Sequence, residues 1–257
     1  MFRAATLVMM CGMLGACASV SGGREPLVTD RPDFTESAQT VQPSSVQVES
    51  GQTFTREGDV KSVSIGEVLV RAGVSRRVEL RVSANSFLVE RIGSVRTQGM
   101  EDGSLGFKFN FVEAPEGPSI VPAISLIAGA SVPSGSATQR SKLFLPETKL
   151  IAAWGLTERL GFATNLNWAT GDNAGSRYNE YSGTGSFAYS VSDRVGAYAE
   201  YFGFAARLNS TWDNRHYVNG GLTFLFSPDL QLDARAGMGP DTKSRDFFAG
   251  LGISRRW

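Results

Sequence analysis

Few side chains in this sequence could carry chemistry, and their spacing says what kind. His216 is the one histidine. A serine hydrolase would need that imidazole as base, a serine within hydrogen-bond reach and a polar residue to orient the ring. The residue two beyond is Val218, the next serine on the same run is Ser227, and Ser210 and Asn214 precede it without strand spacing. His216 therefore reads as an amphipathic residue at an interface, and no catalytic residue is assigned. Cys11 and Cys17 both lie at the start of the chain. A metal site would then fall to carboxylates such as Glu101 with Asp102, or Asp172 with Glu180, whose hard oxygens suit Ca²⁺. Solvated loop charge explains them as well, so no metal and no cofactor is expected.

The more telling charges sit at every second position. Glu79 and Arg81 alternate with Val78, Leu80, Val82 and Ala84, and Lys108 and Asn110 alternate with Leu105, Phe107, Phe109 and Phe111. Glu67 and Arg71 fall opposite Val68, Val70, Ala72 and Val74. A one-residue slip of a strand moves its whole apolar set to the other face. If the apolar face meets hydrocarbon, a Lys or Arg there costs about 2–4 kcal/mol near the midplane. Glu67, Arg71, Glu79, Arg81 and Lys108 must then point inward, either as a charged constriction or as a self-satisfied network filling a narrow lumen. A second charged group precedes these strands: Asp30, Arg31, Asp33 and Glu36, within Thr29-Asp30-Arg31-Pro32-Asp33-Phe34-Thr35-Glu36-Ser37. Its alternating acid and base could pair with lumen charges such as Arg71 and Arg81 as a plug or gate, or simply cap the end of the barrel.

The elements that must position these charges are strands. From Ser45 onward the pattern is period two, giving twelve runs: 46–56, 63–74, 78–89, 104–112, 119–132, 148–156, 160–169, 178–191, 195–204, 215–226, 230–237 and 246–257. A tilted strand needs about 9–11 residues to cross a bilayer, and most of the runs are near that length. The connections alternate. Tight turns at 75–77, 157–159, 192–194 and 227–229 separate longer links at 91–103, 133–147, 170–177, 205–214 and 238–245. Short turns on one side and long loops on the other predict a closed antiparallel transmembrane β-barrel in a bacterial outer membrane. An even strand number leaves both termini on the short-turn, periplasmic side.

The ends of the chain agree. Phe2-Arg3 followed by the apolar run 4–16 is too short to span a membrane and reads as a signal peptide, residues 1–18. Cleavage falls either before Cys17, whose Leu14-Gly15-Ala16-Cys17 context would make it a lipidation site, or before Ser19. Residues 19–44, with Pro26, Pro32 and Pro43, are neither helix nor strand, and the barrel occupies 45–257. The 25 basic and 25 acidic residues cancel, which argues against nucleic acid as a partner. Apolar residues alternate through Phe247, Ala249, Leu251 and Ile253 to a terminal Trp257. Such an ending resembles the sorting signal of outer-membrane barrels, so outer-membrane lipid, lipopolysaccharide and the barrel-insertion machinery are the expected partners, beside a small solute the residues do not name.

The stretch 29–37, followed by Gln47-Val48-Glu49-Ser50-Gly51, Leu69-Val70-Arg71-Ala72-Gly73 and Val78-Glu79-Leu80-Arg81, resembles the bacterial outer-membrane transporter-like family labelled for the MetA pathway of phenol degradation. The resemblance covers most of the chain after the leader. It implies a twelve-strand outer-membrane barrel with a transport role, here passive passage of small solutes, hydrophobic or aromatic ones among them. The alternative is a non-conducting barrel that acts structurally or through its outer loops.

Overall fold

In the structure, a computed structural model, residues 25–208, 211–239 and 247–257 are described. The expected leader and Cys17 lie outside them. The strands are β1 (Val46–Glu57), β2 (Val60–Gly73), β3 (Val78–Ser83), β4 (Phe87–Ile92), β5 (Val95–Met100), β6 (Gly103–Val112), β7 (Ala123–Val132), β8 (Leu145–Gly155), β9 (Leu160–Asn173), β10 (Ser176–Ser190), β11 (Val195–Leu208), β12 (Thr211–Ser227), β13 (Leu230–Met238) and β14 (Phe247–Arg256). They form one antiparallel sheet in which β1 pairs with both β14 and β2, so the sheet closes on itself. Closure leaves no lipid-exposed edge, which a membrane-spanning sheet requires. Fourteen segments make twelve crossings, because β3 with β4 and β5 with β6 are halves of two strands interrupted at 84–86 and 101–102.

Those interruptions correct the expected pattern. The run 78–89 breaks at Ala84, Asn85 and Ser86, where Asn85 has a φ of 25°, opposite a bulge at Gly66 and Glu67 on β2. The expected loop 91–103 is instead the outer half of a hairpin, β4 turning at Gly93 into β5. The loops expected at 170–177 and 205–214 are also largely strand: β9 and β10 meet at a turn of Ala174 and Gly175, and β11 and β12 run on to Leu208 and from Thr211. Their outer ends are polar, so periodicity in apolar residues fades there although the ladder continues in water. The run expected from 119 starts only at Ala123, after Pro122.

Facing follows the energetic argument. Leu80, Val82, Leu105, Phe107 and Phe111 are exposed on the outer surface, while Arg71, Glu79 and Lys108 are wholly buried inside. Trp257 completes the seam: its N–H donates to the Val46 carbonyl at 2.9 Å, and Arg255 lies over its ring at 5.3 Å. Arg255 breaks the strand parity, as its alternation predicts, but does so at the rim.

Candidate functional site

Residues 25–45 do not lie outside the barrel; they thread its lumen. Both ends are tied to the tight-turn side, Leu27 N–H to the Pro228 carbonyl at 2.7 Å and Thr40 Oγ1 to the Arg76 carbonyl at 2.8 Å. Between them the chain rises into the barrel and returns.

The hub is Asp30. Its carboxylate accepts from Arg81 Nη1 at 2.6 Å and from Lys108 Nζ at 3.1 Å, lies 3.4 Å from Arg71 Nη1, and accepts the Ser37 N–H at 2.9 Å. Arg71 also binds Glu49 and Glu79, and donates to the Val28 and Gln39 carbonyls. Arg81 binds Glu79 and Glu36, and Glu36 also holds Lys149. The charge balance is instructive. Within this ion-paired set the wall supplies four cations, Arg71, Arg81, Lys108 and Lys149, and two acids, Glu49 and Glu79. Asp30 and Glu36 of the inner segment bring the count to neutrality. Burying unpaired charge is costly, so an empty lumen would leave two cations to water or counter-ions. Burial alone would raise the Asp30 carboxyl, but Arg71, Lys108 and Arg81 outweigh it and hold it well below the aspartate range. Glu36 is likewise held down against its burial by Lys149 and Arg81.

The opposite wall grips the turn of the segment. Arg31 lies between Glu67 at 2.7 Å and Asp233 at 3.4 Å. Its guanidinium rests on Gly51 and Gly252, where an added Cβ would collide with it. Glu200 accepts the Phe34 and Thr35 N–H groups at 2.9 and 2.6 Å, and Arg235 donates to the Pro32 carbonyl at 2.9 Å. Asp33 accepts from Ser186 Oγ at 3.1 Å. Burial, then the neighbouring Glu200, pushes its carboxyl well above the ordinary range.

Two further features line the lumen beside this segment. On the β2–β9 side a cavity of about 550 Å³ is bounded below by Arg31, Glu36 and Arg81 and along its wall by Glu67, Glu101, Glu147 and Lys149. On the β11–β14 side Phe34 stacks on Phe202 at 4.9 Å, Phe202 on Tyr217 at 5.1 Å, and Phe204 and Phe248 join the cluster. Arg215 and Arg235 lie over Phe204 and Phe248 at 5.2 and 5.8 Å.

All five wall charges singled out in the sequence are therefore in or at the lumen, but they form two groups. Arg71, Glu79, Arg81 and Lys108 meet around Asp30, whereas Glu67 pairs with Arg31 across a bulge. Glu49, Lys149, Glu200 and Asp233 were missed, although each alternates with an outward-facing neighbour and the same parity test finds them. The outer-loop acids hold loops: Asp102 accepts the N–H groups of Ser134, Gly135 and Ser141, and Asp172 those of Lys142 and Gly175. His216 bonds Tyr201 Oη at 2.6 Å.

A family model described as "Putative MetA-pathway of phenol degradation" matches residues 29–257. Among solved structures, the NanC porin aligns with a TM-score of 0.54 at 9% identity, covering 82% of this chain and 98% of that one. The translocator domain of the autotransporter NalP from Neisseria meningitidis aligns at 0.53 and 10%, covering 84% and 90%. At such identities the likeness is one of fold, that of the outer-membrane barrel. No curated protein matches the chain.

Proposed function

We propose that this chain, which belongs to the family described as "Putative MetA-pathway of phenol degradation", passes small solutes across the outer membrane through a lumen that its own residues 25–44 obstruct and release. The observation that carries the reading is the docking of Asp30 and Glu36 onto Arg71, Arg81, Lys108 and Lys149. A segment held by ion pairs, facing a cavity large enough for a small molecule, can be displaced by water and counter-ions without unfolding the barrel. An ion-pair floor is a better gate than an apolar one, because wall charges are readily solvated once the segment leaves. The cluster of Phe34 with Phe202, Phe204, Tyr217 and Phe248 supports preference for hydrophobic or aromatic solutes: Phe202 and Tyr217 are buried within it, and the half-buried Phe34, Phe204 and Phe248 are the rings on which a solute can stack.

Solute flux into proteoliposomes tests this. The wild-type protein should admit a phenol-sized aromatic faster than a neutral sugar of similar mass, and Phe34→Ala should narrow that difference. Equal rates for both solutes in both proteins would remove the aromatic preference. The second reading, a filled and non-conducting barrel, draws on the same buried ion pairs. It predicts that Arg81→Gln lowers thermal stability with no flux in either protein, whereas a pore predicts altered ion selectivity.

A further inference from the structure

Four cations lie side by side across the outer face of the barrel, at adjacent strands and in one row. Arg56 of β1 pairs in register with Lys61 of β2, Lys61 with Arg91 of β4, and Arg91 with Arg96 of β5. Residues paired across an antiparallel ladder share a face, so the four side chains stand together. All four are exposed. The face is the lipid side, because the row directly beneath is Phe54, Val63, Val89 and Gln98, and the next is Gln52, Ile65, Phe87 and Met100. Glu57 and Glu90 of the same hairpins alternate onto the opposite face. Like charges directly opposite one another destabilise a strand pair, and here three successive pairs carry them.

Height along the barrel gives the row a partner. Arg56 is ten residues along β1 from Val46, where the outward apolar positions begin at the tight-turn end. At about 3.3 Å per residue and a tilt of about 40°, that places it roughly 25 Å up, the height of the outward apolar band of such barrels. A row of paired residues inclines with the strand tilt, so this one rises about 9 Å toward β5, from the edge of the hydrocarbon at Arg56 into the headgroup layer of the outer leaflet at Arg96. Neighbouring strands are about 4.8 Å apart, so the row is roughly 14 Å wide. The corresponding outward row on β9–β12, Trp168, Tyr181, Ala205 and Asn214, carries no charge.

We propose that Arg56, Lys61, Arg91 and Arg96 form a binding site on the outer wall for the phosphate groups of an outer-leaflet glycolipid, the lipid A part of lipopolysaccharide. The guanidinium forks of three arginines can each take a phosphate bidentately, while the acyl chains lie over Phe54, Val63 and Val89 beneath. The cationic repulsion across the strands is relieved by the ligand. The tips turn tightly at Gly58 and Gly93, with φ of 57° and 59°, which keeps both hairpins short and the four side chains close to the headgroup layer.

The test uses the full-length protein folded in detergent micelles, with bisphosphorylated lipid A or the same lipid stripped of its phosphates. Bound lipid is counted by native mass spectrometry, and stability is read from the temperature at which gel mobility shifts. The phosphorylated lipid should bind and raise the transition, and the stripped lipid should do neither. The variant R56Q/K61Q/R91Q/R96Q should bind at least tenfold more weakly, and R56K/R91K/R96K, which keeps the charge, should lose less. Equal binding of the two lipids to the wild-type protein would overturn the proposal, leaving apolar annular contact alone. So would unchanged binding by the glutamine variant, or displacement of the lipid by inorganic phosphate at equal concentration. Should the glutamine variant not fold, the two-lipid comparison on the wild-type protein decides by itself.

Discussion

At Asp30 one carboxylate answers three buried cations, and its removal has a calculable consequence. Breaking a buried ion pair by deleting one partner costs about 3–5 kcal/mol, because the remaining charge is left uncompensated. Asp30→Ala should weaken docking of the inner segment by that order while the wall keeps its own pairs, Arg71 with Glu49 and Glu79. Limited proteolysis reads this directly: residues 25–44 should become cleavable in a protein whose barrel still resists heat in detergent, and full protection of the variant would contradict it. The neighbouring carboxyls give the docking a pH profile. Asp33 has its folded pKa raised, by burial and then by Glu200. It therefore holds a proton that the undocked segment has lost, and its contribution disappears as pH rises through the folded value. Asp30 and Glu36 are depressed, so theirs is complete above the ordinary carboxylate range and is lost as pH falls below it. Docking should be tightest in mild acid and loosen on both sides. Channel current measured against pH should therefore pass through a minimum, and Asp33→Asn should flatten its alkaline limb alone. An unaltered alkaline limb in that variant would remove Asp33 from the mechanism.

The strands were legible because the bilayer punishes error on one face. Val78, Leu80 and Val82 against Glu79 and Arg81 admit one orientation, and the structure has it. Phe107, midway along β6 and exposed to lipid, tests the same argument in reverse. Phe107→Arg should cost about 2–4 kcal/mol in unfolding from lipid vesicles, and a value near zero would mean that this face is not in the membrane. Outer hairpins were less legible. From the headgroup layer outward both faces of a strand meet water, and alternation no longer carries information: β5 and the outer ends of β11 and β12 read as loop. The break at 84–86 has a different origin, since the bulge at Gly66 and Glu67 changes the register of β2 between β3 and β4, and no local pattern marks it. Above the closed wall, β5 leaves an edge that the loop after β7 covers, Ser136 exchanging hydrogen bonds with Met100. An uncovered edge would invite pairing with another chain.

As a whole, the molecule is a wall on which Arg71, Arg81, Lys108 and Lys149 outnumber the wall acids paired with them, Glu49 and Glu79, and a short segment whose Asp30 and Glu36 answer them. Parity alone located Arg71, Glu79, Arg81 and Lys108, and composition marked Asp30, Arg31, Asp33 and Glu36 as a unit. Their meeting was one of two open alternatives, because residues 25–45 have no periodicity and only three-dimensional closure places them inside. Arg31 over Gly51 and Gly252 illustrates the point: two glycines on neighbouring strands become a seat only when β1 pairs with β14. The central claim is that this segment governs the lumen. Single-channel current in a planar bilayer tests it most directly, comparing the wild-type protein with Asp30→Ala/Glu36→Ala after heat-shifted gel mobility has shown both to be folded. The account predicts a mostly closed wild-type protein with brief openings, and larger, longer steps from the variant. Identical current from both, or silence from both, would contradict it.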